Sequence, residues 1–390
     1  MNKLVIIGNG FDLAHGLETS YQNFIIWYLN KVISTKNQSI DKSLIYLDYI
    51  DNNRNNPNYN FYLNKRSYIE TVSSIEEFEQ YKKKYGLKAT YISKSFVVSI
   101  LEKIELLKWV DIEKEYYDLL VKIYKPYEQY GRYDAKELYE LNKALYLIEL
   151  ELKGYLENHL KPPFAKNQSI KSLFDSEILN DPNEDVYVLN FNYTSFVETY
   201  LYLPKLKKSD NKSTLKSGIK RFQYTKNEIS KTINVYLNNI HGKLYSDNQL
   251  IFGYGDETDE YYEKLENLKD NEFLKHMKSF GYLQSSNYNR LFEFLDQEKL
   301  HEDKRKKIDV YIMGHSCGVS DRLLFTHIFE HPLMNSVTIY YYERPDGTND
   351  FYEKTQDLSR HFRKDAKHRM RKCILPFSES KPLPQFKQQN

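Results

Sequence analysis

The chain has 390 residues, 41% of them hydrophobic and 15% aromatic, with 56 Lys+Arg against 54 Asp+Glu and a formal net charge of +2. That apolar content excludes a solvated coil for most of the chain, and so even a charge balance argues against coating nucleic acid through bulk charge. Two cysteines, Cys317 and Cys373, exclude a disulfide framework and a four-cysteine zinc site. No run approaches the ~20 apolar residues that span a bilayer. The opening MNKLVIIGNGFD lacks the long apolar region and cleavage site of a secretory signal, so a cytoplasmic location without a membrane partner is expected.

The first element is KLVIIG at 3–8, a continuous apolar run stopped by glycine, as in a buried parallel strand. The mixed segment from Phe11 to Asn30 suits a helix. From 31 to 180 apolar residues recur at three- and four-residue intervals, which predicts amphipathic helices joined by polar loops. Strand signals return at Val186–Asn190, Asn234–Ile240, Leu250–Phe252, Ile308–Met313 and Val337–Tyr342. Helix-like segments lie between them at 258–300, 320–330 and 351–371, and 204–233 reads as a loop with a short helix. The alternation predicts an α/β fold: a Rossmann-like, doubly wound, mostly parallel sheet with a large helical insertion. The expected domains are a discontinuous nucleotide-binding domain over 1–30 and 181–376, a helical insertion over 31–180, and a loosely ordered tail over 377–390.

Four places can carry chemistry. Gly8-Asn9-Gly10-Phe11-Asp12, followed by Gly16, stands at a strand-to-helix turn, where glycines let backbone approach a pyrophosphate; the plain alternative is a tight turn. Asp12 there either binds a ribose hydroxyl or caps the helix. Asn190 to Glu198 starts at a strand end, where open α/β sheets bind ligands; Asn192 either fixes a ribose or a water, or it or Thr194 caps the next helix. Ile240-His241-Gly242 closes another strand, and His241 is a general base or a structural histidine. Gly314 to Asp321 follows the strand at 308–313, where Gly314 and Ser316 suit a second phosphate or ribose and Ser320 or Asp321 a helix cap. No sequence feature lowers the pKa of Cys317. His327 and His331 are four apart but lack a third ligand, so no metal is expected. The stretch RHFRKDAKHRMRK at 360–372 is basic enough to touch nucleic acid, or is a solvated helix end or a dock for the acidic 256–272.

The order of these motifs resembles the AbiH family of bacteriophage abortive-infection proteins. The likeness is carried by LVIIGNGFDLAHGLETSYQNF at 4–24, VLNFNYTSFVE at 188–198, IHGKL at 240–244, IFGYGDE at 251–257 and IMGHSCGVSDRLLF at 312–325. The same series is similar to a distant sirtuin-like NAD-hydrolysing fold. That likeness implies NAD as substrate, held by Gly8, Asn9, Gly10, Phe11, Asp12, Gly16, Gly314 and Ser316, with Asn192 near the nicotinamide ribose, Glu198 at a later acidic position and His241 as the catalytic histidine. Asp12 stands where that group has serine, and Thr194 where it has aspartate after the asparagine. The zinc ribbon of sirtuin deacetylases needs four cysteines, so deacetylation is not expected. The reading implied is an anti-phage effector and NAD glycohydrolase, with a nucleotide as ligand and a homo-oligomer or a phage-derived trigger as partner. A non-catalytic nucleotide sensor is the alternative, and a nucleic-acid-targeting toxin the third.

Overall fold

The computed structural model describes residues 1–35, 42–49, 70–160, 166–181, 183–201, 220–222, 233–246, 250–297 and 300–386. The fold is α/β and Rossmann-like. Its seven-stranded sheet contains β1 (Asn2–Ile7), β4 (Val186–Asn190), β5 (Lys220–Phe222), β6 (Val235–Asn239), β7 (Ile308–Met313), β8 (Met334–Tyr341) and β9 (Lys381–Pro382). The spatial order is β5-β6-β4-β1-β7-β8-β9. All neighbours run parallel except β5, which pairs antiparallel with β6. β2 (Ile45–Tyr49) and β3 (Leu87–Tyr91) form a separate antiparallel pair.

Why β1 reads as an unbroken apolar run is visible in its surroundings. All six of its residues are buried. Leu4 and Ile6 face one core with Leu189, Ile312, Phe325 and Phe329, while Val5 and Ile7 face the other with Val188, Phe174 and Phe196. A parallel strand covered on both faces has no solvent side to supply alternation. Lys3 is buried in the same strand and is satisfied at its tip by the Ile178 carbonyl at 3.2 Å and Glu184 at 2.8 Å.

The chain leaves β1 for β4 and then β6 on one side, and returns to β7 and β8 on the other. The winding therefore reverses between β1 and β7, and in open α/β sheets ligands bind outside the carboxyl ends of the strands at such a reversal.

Contacts divide the chain into two compact units: Met1–Leu17, Leu160–Thr258 and Met277–Asn390 hold the sheet, while Glu18–His159 and Asp259–His276 form the second. In the second, helices Tyr21–Ser34, Ile75–Lys84, Lys94–Leu107, Ile112–Tyr130 and Ala135–His159 carry the expected spacing. The longest buries Leu138, Leu141, Leu145, Ile148, Leu152 and Tyr155 along one face.

Several expectations are corrected. The first helix is broken: Asn9–Leu13 ends in a turn at Gly16, and Ser20 opens Tyr21–Ser34 by accepting from the Asn23 N–H at 3.1 Å. The β2–β3 pair stands inside a stretch read as helical. Leu250–Phe252 is not a strand; the Ile251 N–H donates instead to the His241 carbonyl at 2.9 Å. Residues 377–386 are not loose, because β9 pairs with β8, Leu383 is buried, and the Phe386 N–H donates to Ala14 at 2.7 Å. Residues 387–390 and most of the loop expected over 204–233 lie outside the described residues.

Candidate functional site at the carboxyl ends of the parallel strands

The four motifs are the four loops that follow β1, β4, β6 and β7. Two of them are pressed together at the reversal point. The Gly10 N–H donates to the Gly314 carbonyl at 2.7 Å, and the Gly8 N–H to Met313 at 3.2 Å. A Cβ on Gly8 would lie 2.5 Å from His315 Cα, one on Gly10 2.7 Å from the Gly314 oxygen, and one on Gly314 2.1 Å from the Phe11 nitrogen. Gly314 also has φ +72°, a region that side chains disfavour. The close approach that these glycines permit is thus loop against loop, and the Gly10 N–H already has its acceptor. The helix after them has five residues, while Asn9, Gly16 and Ser316 are exposed.

Beneath the turn lies a buried carboxyl. Asp12 Oδ2 accepts from the Thr194 hydroxyl at 2.5 Å, and the Asn192 side chain also hydrogen-bonds to it. Its Oδ1 is buried and has no hydrogen-bond partner. Burial pushes its pKa up to about 7, against the lowering effect of Thr194 and Asn192. Asp12 is accordingly no helix cap, since it sits inside the short helix with its side chain turned to the β4 loop. Asn192 does not cap a helix either; its Nδ2 donates to the Gly8 carbonyl at 3.1 Å. Asn190 shapes that loop, donating to the carbonyls of Asn192 and Thr194 at 3.2 and 3.0 Å and to Asn239 Oδ1 at 2.8 Å. Glu198 pairs with Lys243 at 3.0 Å.

His241 is buried after β6. Its Nε2 lies 3.1 Å from the Tyr282 hydroxyl and 3.2 Å from Asp321 Oδ1. The Phe191 ring meets it edge-on at 5.2 Å. Lys278, also buried, donates to the same Asp321 oxygen at 2.8 Å. Burial and then the Lys278 charge lower the His241 pKa, opposed by Asp321 and a hydrogen bond to the Phe191 backbone. Burial works to raise Asp321, but Lys278 and His241 outweigh it and hold that carboxylate well below its usual range. Asp321 was open to a capping role, yet its side chain makes no cap bond to the helix that it precedes.

His315 joins the two clusters. It packs on Gly8 and meets Phe191 edge-on at 4.2 Å. Burial draws its pKa down to about 3, and its Nδ1 accepts from the Cys317 N–H at 2.9 Å, so the neutral ring carries its proton on Nε2.

The family model for bacteriophage abortive infection AbiH matches residues 4–343. The chain belongs to the AbiH family. The match takes in all four loops, the whole second unit and the first unit as far as residue 343, and it supports a role for this AbiH protein in bacteriophage abortive infection. No curated protein matches the chain.

Several other candidates on the AbiH chain have partners within its own structure. Cys317 is buried and its thiol is pushed up to about 12 by burial, so it is no nucleophile. His331 pairs with Asp296 at 3.0 Å, His327 with the Tyr288 hydroxyl at 3.1 Å, and no metal-holding group occurs among the described residues. In the basic segment, Arg363 pairs with Glu330 at 2.6 Å, Arg369 donates to the Met334 carbonyl at 3.2 Å, and Lys367 to the Ser359 hydroxyl at 3.0 Å. No described helix is long and apolar enough to cross a membrane. Lys278 is missed from sequence, and Asn190, though it opens the second motif, is given no role there, because a lysine in a helical stretch and an asparagine ending a strand carry no local mark of what they reach.

Proposed function

We propose that this AbiH protein binds a dinucleotide of the NAD class at the carboxyl ends of its parallel strands and hydrolyses the nicotinamide glycosidic bond. Depleting NAD would stop an infected cell before the phage matures. The observation that supports this is that Asp12 and Asn192 hydrogen-bond beside the glycine turn where the sheet reverses its winding, while His241, on the loop after β6, packs edge-on against Phe191 of the loop that carries Asn192. A base must be unprotonated at neutral pH, and burial keeps His241 in that form. In the reaction, the bond from the ribose C1′ to the nicotinamide nitrogen breaks and its electron pair leaves with nicotinamide. Asn192 orients the water whose oxygen bonds to C1′, and His241 takes the proton of that water on Nδ1, the ring nitrogen that does not face Asp321 and Tyr282. The unpartnered Asp12 oxygen suits a ribose hydroxyl, while Gly314 and Ser316 border the adenosine half.

Removing a general base lowers rates by about 10²–10⁴-fold. His241→Ala should lose nicotinamide release to that extent, and phage protection with it. Full protection by His241→Ala would sink the mechanism. A second reading comes from the same histidine: its Nε2 already faces both Asp321 and Tyr282, as in a structural histidine. An AbiH protein of that kind is a nucleotide sensor that binds NAD without turnover and tolerates His241→Ala.

A further inference from the structure

Three ionisable side chains meet on one oxygen. Lys278 Nζ lies 2.8 Å and His241 Nε2 3.2 Å from Asp321 Oδ1, and all three residues are buried. They come from separate segments: the turn after β6, the start of helix Lys278–Tyr282, and the end of the loop after β7. Stability is a weak reason for such a group, because apolar side chains of the same volume often serve a core as well or better.

We propose that Asp321 and Lys278 are the positioning pair of His241, the carboxylate fixing the imidazole and the ammonium balancing the carboxylate so that the ring stays neutral. This rests on the hydrolase reading above. A buried carboxylate alone beside an imidazole favours the imidazolium, which has no lone pair with which to take a proton from water. A cation on the same oxygen removes that bias while leaving the orienting contact in place.

The groups that face His241 are few. The loop after β4 supplies the Phe191 ring and backbone and the Tyr193 ring, 6.5 Å away. Helix Lys278–Tyr282 supplies Lys278 and the Tyr282 hydroxyl, and the loop after β7 supplies Asp321 and His315. His315 is neutral, so the charge at the ring is set by Asp321 and Lys278. Asp321 reaches substrate only through His241, and Lys278 acts one step further back.

The test uses the full-length protein, Lys278→Met and the double variant Lys278→Met/Asp321→Asn. The His241 imidazole is titrated by NMR without ligand, assigned against His241→Ala, and nicotinamide release from NAD is followed across pH. Lys278→Met should raise the His241 titration midpoint and move the acid limb of kcat to higher pH. The double variant leaves no charge unpaired and should fold even where the single one does not. Its kcat should fall by about 10²-fold or more, up to the ~10⁴-fold seen when the carboxylate orienting a catalytic histidine is replaced, with KM for NAD little changed. An unmoved His241 midpoint in Lys278→Met, or wild-type kcat in the double variant, overturns the proposal. Absence of nicotinamide release by wild type overturns the hydrolase reading instead, and the titration alone then decides the pair.

Discussion

Asp12 shows how one buried atom shapes a testable property. Its pKa is about 7 in the fold against 3.8 as a free side chain, so between those values the native state binds a proton that the unfolded chain has released. Stability therefore falls as pH rises across that window and levels off above it. Asp12→Asn keeps an acceptor for Thr194 and removes the titration. Comparing urea unfolding at pH 4 and pH 8, wild type should lose on the order of a few kcal/mol more than Asp12→Asn. Equal losses in the two proteins would mean that Asp12 is not held protonated by burial. The presence of a carboxylate beside the glycine turn was readable from Gly8-Asn9-Gly10-Phe11-Asp12; its burial and its partners in the β4 loop were not, because Thr194 is 182 residues away.

At the scale of elements, the central strands were legible because both their faces are covered, and Val186–Asn190 and Ile308–Met313 occur where the apolar runs predict them. Truncating one of them, as in Leu189→Ala, should cost about 2–5 kcal/mol in urea unfolding. The pair β2–β3 and the edge strand β9 were not legible, since each is defined by a partner distant in sequence. The loops behave alike. Gly314→Ala places a Cβ against Phe11 and should break the Gly10–Gly314 bond, costing about 1–3 kcal/mol for overpacking on top of the left-handed backbone. Gly347→Ala is its control: φ is +84° but nothing lies within 4 Å, so only the backbone cost of about 1–2 kcal/mol applies. Equal destabilisation of both would show that the loop contact contributes nothing.

For the whole molecule, the second unit is built from two stretches far apart in sequence, and Asn142 is among the buried side chains that bind them. Asn142 accepts from the Tyr116 hydroxyl at 2.7 Å and donates to the Glu272 carbonyl at 2.8 Å. Asn142→Leu strands both groups, at about 1–3 kcal/mol each, and should make 259–276 cleave faster in limited proteolysis. Unchanged cleavage would mean that this tie does not hold the segment.

By itself the sequence determined the α/β class, the glycine turn after the first strand, the strand ends that carry Asn192 and His241, and the resemblance to AbiH that the family match bears out. These are local properties: an apolar run, a turn residue, a motif order. Only the tertiary structure decided that the glycines meet each other across two loops, that Asp12 sits buried under Thr194, and that Lys278 and His241 share one oxygen of Asp321. Those pairings join residues that no periodicity connects, and their energies depend on burial, which exists only once the sheet has closed over them.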